Sequence, residues 1–85
     1  MREFEWEIRD EFGIHARPAG LLVKEAGKFR SDITIIKENK EADGKKLFGV
    51  MGLGVKQDDK IIVRISGDDE ETAETALKKF LEDNL

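Results

Sequence analysis

Apolar and polar residues alternate strictly at the start of the chain. Phe4, Trp6 and Ile8 are interleaved with Glu3, Glu5, Glu7 and Arg9, the period of two that turns one strand face to a core and the other to solvent. The period then changes. Ala19, Leu22, Val23, Ala26 and Phe29 recur at helical spacing, with Lys24, Glu25 and Lys28 opposite. Pro18 falls in the first turn of that helix, where its missing N–H breaks no intrahelical bond. "DITIIK" predicts a strand with Ile33 and Ile35 on one face, and "NKEAD" returns as a hairpin turning near Glu38 and Asn39. Leu47, Phe48 and Met51 have the spacing of one short helical turn among glycines, and "KIIVRI" is a further apolar strand. The last segment, "DDEETAETALKKFLEDNL", is the clearest helix. Ala73, Ala76, Leu77, Phe80 and Leu81 form its buried stripe, Asp68 or Asp69 can cap it, and Lys78 and Lys79 lie late.

The predicted order is β-α-β-β-α-β-α. Helices on one face of an antiparallel sheet give a two-layer α+β fold. With 85 residues and no linker, repeat or low-complexity stretch, residues 1–85 are expected to be a single domain.

Composition narrows the chemistry. There is no cysteine and a single histidine, which argues against a disulfide framework and against a thiolate or multi-histidine metal site. No apolar run approaches the roughly 20 residues of a membrane span, and the charged N-terminus lacks a signal-peptide core, so a soluble, cytoplasmic protein is expected. The net charge of −4 disfavours bulk nucleic-acid binding. Charge is unevenly spread: Arg17, Lys24, Lys28 and Arg30 face one acid between His15 and Arg30, whereas the segment after Ser66 is strongly acidic. This is either an ordinary solvated surface or a basic patch for an acidic partner or a phosphate.

"GVMGLG", Gly49 to Gly54, lacks the spacing of a nucleotide-binding loop and reads as a structural turn. His15 carries more information. It falls where the first long helix should begin. The backbone N–H groups of Ala16 and Arg17 would be free there, and a helix N-terminus attracts anions. Arg17 adds a planar charge able to grip phosphate oxygens. A neutral imidazole is a nucleophile, so these parts describe a histidine that accepts and holds a phosphoryl group. They equally describe a histidine that ends a helix and does no chemistry, and the residues alone leave both readings open.

"GIHARPAGLLVKEA" resembles the active-centre motif of the HPr family, the histidine-containing phosphocarriers of the bacterial phosphoenolpyruvate:sugar phosphotransferase system. The likeness covers essentially the whole chain, with "KKLFGVMGLGV" and "GDDEETAETAL" falling where that family has its matching segments. It implies an open-faced β-sandwich: a four-stranded antiparallel sheet with three helices on one face. It further implies phosphorylation of His15 on Nδ1 by enzyme I, delivery to sugar-specific IIA components, and a phosphohistidine stabilised by Arg17 and the Ala16 and Arg17 amides. Partner docking would fall to Leu47, Phe48 and Met51 with Gly20 and Lys24, flanked by Phe12 and Lys46. No cofactor, metal, nucleic acid or direct membrane contact is implied, and the carrier is expected to be monomeric. Two alternatives share the resemblance: a regulatory binding module on the same fold, and a carrier in a nitrogen-related or dihydroxyacetone-linked branch.

Four positions depart from the family pattern. Lys46 stands where many Gram-positive relatives have a regulatory serine, so no serine-kinase control is expected there; Ser31 and Ser66 are other hydroxyls to consider. Phe12 replaces a small polar residue and could pack under the histidine loop or enlarge the docking surface. Gly20 replaces Ala or Thr, and Gly52 a common Ser.

Overall fold

A computed structural model describes residues 1–85. The elements are β1 (Arg2–Glu7), α1 (Ala16–Ala26), β2 (Asp32–Lys37), β3 (Lys40–Asp43), α2 (Leu47–Met51), β4 (Lys60–Ser66) and α3 (Glu70–Asn84). The order matches the periodicities, and the hairpin turns at Glu38, which adopts a positive φ of 54°. The four strands form one antiparallel sheet in the order β1-β4-β2-β3. β4 therefore lies between β1 and β2, pairing Phe4 with Val63 on one side and Ile35 with Val63 on the other. The central strand is the most apolar of the four. The edges carry Glu3, Glu5 and Glu7 on β1 and Lys40, Glu41 and Asp43 on β3, charges that discourage pairing with another sheet.

All three helices cover one face. Ile33 and Ile35 of β2 and Ile61, Val63 and Ile65 of β4 meet Ala19, Leu22 and Ala26 of α1, Val50 of α2, and Ala73, Leu77 and Leu81 of α3 in one core. Phe4, Trp6, Val23, Phe29, Leu47 and Phe80 pack on its margin. The other sheet face is uncovered. Ile36 belongs to that face, opposite Ile62, and is nonetheless buried.

One detail of α3 differs from expectation. Asp69 occupies the N-cap position, but its side chain makes no cap hydrogen bond. Its carboxylate instead accepts the Arg30 N–H (2.8 Å), the Ser31 N–H (3.0 Å) and the Ser31 hydroxyl. These donors, led by the Ser31 hydroxyl, lower its pKa to about 2. Three donors on a neighbouring loop outcompete the helix's own amides, and the result clamps the start of α3 to the α1–β2 connection. Lys78 and Lys79 lie in the second half of the helix, as expected, and its last turn, running to Asn84, carries Glu82 and Asp83. Both lysines pair one turn away, Lys78 with Glu74 and Lys79 with Asp83.

Candidate functional site

The segment between β1 and α1 is held from three directions. Ile8 exchanges hydrogen bonds with the 58–59 turn (Ile8 N–H to Asp59 O, 2.9 Å; Asp58 N–H to Ile8 O, 2.8 Å). Arg9 and Asp10 donate their N–H groups to the Leu85 carbonyl at 2.6 and 3.2 Å. Asp10 then organises a turn of its own: its carbonyl accepts the Gly13 N–H (3.0 Å), and its Oδ1 accepts the Phe12 N–H (2.8 Å), an Asx turn. Gly13 has φ +66°, and a Cβ there would lie 2.3 Å from the Val55 carbonyl oxygen. Only glycine lets the turn press so close. Ile14, buried, donates its N–H to the same oxygen at 3.1 Å. The 54–59 loop that receives it is itself tied by Asp59. That carboxylate accepts the Lys56 N–H (2.8 Å) and pairs with Lys37 (3.0 Å), contacts that lower its pKa in that order of strength.

This scaffold delivers His15 to the N-cap of α1. Its backbone is extended (φ −96°, ψ −174°), and its carbonyl accepts the Ala19 N–H at 2.9 Å. Its ring does not cap the helix. The Ala16 and Arg17 N–H groups thus find no acceptor in the chain, and Pro18 has no N–H to offer. The positive end of α1 is left open to an outside anion. The imidazole is 44% exposed, with Nε2 3.9 Å from Asp10 Oδ1. A carboxylate on that edge favours the tautomer with its proton on Nε2, which leaves a lone pair on Nδ1. Phe12 packs against the same ring nearly at right angles, with centroids 5.8 Å apart and planes at 80°.

His15 and Arg17 share a shallow pocket of about 250 Å³ with Asp10, Pro18, Leu21, Asp83 and Asn84. Arg17 is exposed and forms no ion pair within the chain. The structure therefore brings His15, Ala16, Arg17 and Phe12 together. Gly20 and Lys24 lie one and two turns further along α1, and Gly20 opens onto empty space. Leu47, Phe48 and Met51 sit on α2, which packs against α1. Phe48 is 83% exposed, Met51 is exposed and Leu47 is half-buried, while Val50 and Leu53 go to the core. Lys46 is the exposed N-cap of α2, and an ammonium cannot accept an N–H, so that short helix begins without a side-chain cap. Of the two serines, Ser31 is buried and Ser66 exposed.

Sequence reasoning overlooked Asp10, Leu21, Asp83 and Asn84. Leu21 follows Arg17 by one helical turn, and Asp10 three residues before Gly13 carries a turn signal; both were readable. Asp83 and Asn84 reach the pocket only because α3 packs against α1, a contact that no local pattern encodes.

Residues 2–83 match the family described as "PTS HPr component phosphorylation site". The chain belongs to the HPr family, the phosphocarriers of the phosphotransferase system. It is 40% identical over 85 residues to the phosphocarrier protein HPr of Mycoplasma genitalium, covering 99% of this chain and 97% of that one. Among solved structures, it resembles a histidine-containing phosphocarrier protein of Mycoplasma with a TM-score of 0.94 at 39% identity, covering 96% of this chain and 93% of that one. It also resembles an HPr dimer from Thermoanaerobacter tengcongensis, with a TM-score of 0.78 at 43% identity over 98% and 95% of the two chains. The observed open sheet with three helices on one face is the fold of these HPr structures.

The charges in the pocket oppose one another. Arg17 and the N-terminus of α1 favour an anion there. Asp10, Asp83 and the C-terminal end of α3 disfavour it.

Proposed function

We propose that the chain accepts a phosphoryl group from enzyme I on Nδ1 of His15 and passes it to IIA components of sugar permeases. One observation carries this reading: a half-exposed imidazole with an unbonded Nδ1 stands beside two unpartnered helix amides and an unpaired arginine. In the transfer, the Nδ1 lone pair forms a bond to phosphorus as the bond to the donor breaks and the donor keeps its electron pair. The proton stays on Nε2, facing Asp10. The Ala16 and Arg17 N–H groups and the Arg17 guanidinium take the phosphoryl oxygens. The return step to a IIA component is the same exchange with the carrier as donor.

Docking falls to exposed Phe48 and Met51 with Leu47 on α2, Gly20 and Lys24 on α1, and Phe12 and Lys46 at the margin. An apolar centre rimmed by cations suits brief contact with acidic-rimmed partners. The carrier acts as a cytoplasmic monomer with residues 1–85 as one working domain, without a cofactor, nucleic acid or direct membrane contact. Labelled phosphoenolpyruvate with enzyme I should give an acid-labile, base-stable phosphoprotein, and His15→Ala should abolish the label. Label that persists in His15→Ala rules out the assignment. Arg17→Ala should slow transfer by roughly 100-fold or more, the scale of one lost charge-stabilising donor, with an unchanged melting temperature.

A further inference from the structure

We propose that Phe12 is a positioning residue for His15: its ring, packed at right angles to the imidazole, holds the nucleophile in the one orientation that keeps Nδ1 free. The proposal rests on His15 being the phosphoryl acceptor. Phe12 is 71% exposed, so core packing does not explain it. What it touches does. The ring centroids are 5.8 Å apart at 80°, the edge-to-face geometry that aromatic quadrupoles prefer.

The backbone beneath Phe12 is fixed although its side chain faces solvent. Its N–H is bound to Asp10 Oδ1 at 2.8 Å, and the same oxygen lies 3.9 Å from His15 Nε2. One carboxylate thus sets both the turn that presents the phenyl ring and the edge of the imidazole that it leaves unattended. A half-exposed histidine at a helix start would otherwise exchange among several rotamers. Here one edge meets Asp10 and the phenyl ring stands perpendicular to the imidazole plane. Nδ1, the nitrogen nearer the main chain, makes no hydrogen bond within the chain, and the Ala16 and Arg17 N–H groups that follow His15 are likewise unpartnered. The contribution is one of orientation, made before any partner arrives.

Three variants test it: Phe12→Ala, Phe12→Leu and Phe12→Tyr. Each is examined by NMR of the His15 ring and by chemical phosphorylation with phosphoramidate. In that reaction an imidazole nitrogen lone pair forms the new P–N bond while ammonia leaves with the electron pair of the old one and takes up a proton. Wild type should give mainly the Nδ1 product. Phe12→Ala should shift the His15 ring signals, raise the Nε2 product and leave the melting temperature unchanged. With enzyme I, the same variant should lose roughly 3–10-fold in kcat, the factor that an aromatic pair contact supplies, over and above any rise in KM from its place at the docking margin. Phe12→Tyr should restore all of these and Phe12→Leu should not. Unchanged ring signals and product ratio in Phe12→Ala overturn the proposal. So does a loss confined to KM, which marks docking, or full rescue by Phe12→Leu. The ring signals and phosphoramidate products need no partner protein, so their outcome is separate from whether enzyme I is the donor.

Discussion

Replacing Gly13 by alanine tests whether the His15 loop is held by its contact with Val55. Gly54 provides the control, because its φ of +64° nearly equals the +66° of Gly13, yet a Cβ at Gly54 meets nothing within 4 Å. Alanine at either position incurs the left-handed backbone cost of about 1–2 kcal/mol. At Gly13 the new methyl would also lie 2.3 Å from the Val55 oxygen and 2.7 Å from Lys56 Cα. Ordinary contact requires the two segments to part by about 1 Å. That stretches the 3.1 Å bond from Ile14 N–H to Val55 O beyond hydrogen-bond range. A lost hydrogen bond of about 1 kcal/mol and overpacking of about 1–3 kcal/mol then add to the backbone term. Urea denaturation should therefore show Gly13→Ala less stable than Gly54→Ala by roughly 2–4 kcal/mol. The movement also carries His15 away from its neighbours. A shift of about 1 Å can cost on the order of 100-fold in a transfer rate, so phosphorylation of folded Gly13→Ala should be much slower than that of Gly54→Ala. Equal destabilisation of the two variants would refute the steric argument, and full phosphoryl transfer by Gly13→Ala would refute its consequence for the site.

Two further substitutions probe the frame around the site. The Asp69 carboxylate, held at about 2 by the Ser31 and Arg30 donors, is depressed below its ordinary 3.8. Its contribution is present above the unfolded value and lost as pH falls through the folded one. Stability should thus decline between about pH 4 and pH 2, and Asp69→Asn should flatten that part of a pH–stability curve; an unchanged acid limb would dissociate the clamp from stability. Lys46→Asp supplies α2 with the cap that it lacks and should stabilise the fold by about 0.5–2 kcal/mol. The same change should weaken productive contact with enzyme I through its reversed charge, so faster transfer in this variant would contradict a cation-rimmed docking surface.

The elements of the fold were legible because their signals are local. Glu3 to Glu7 alternate with aromatic residues, and Leu77 and Leu81 repeat at helical spacing. The strand order was not, since nothing in "KIIVRI" states that it sits between β1 and β2. Local pattern marks Asp68 or Asp69 as the cap of α3, whereas the donors that capture the Asp69 carboxylate lie 38 and 39 residues away. His15, Arg17 and the amides after them were legible as a helix start. The α3 wall of the pocket was not, because Asp83 and Asn84 arrive from the opposite end of the chain.

The sutures that hold the His15 loop also order events in time. Ile8 bonds to Asp59, Asp10 to Leu85 and Ile14 to Val55, all contacts that span more than 40 residues. Such contacts close large loops and form late in folding. The imidazole can therefore take up its working geometry only once residue 85 has joined the fold. A ribosome-bound chain still lacking α3 would expose "GIHARP" without the scaffold that makes it a site, so competence to carry phosphate should appear together with the completed fold and not before it.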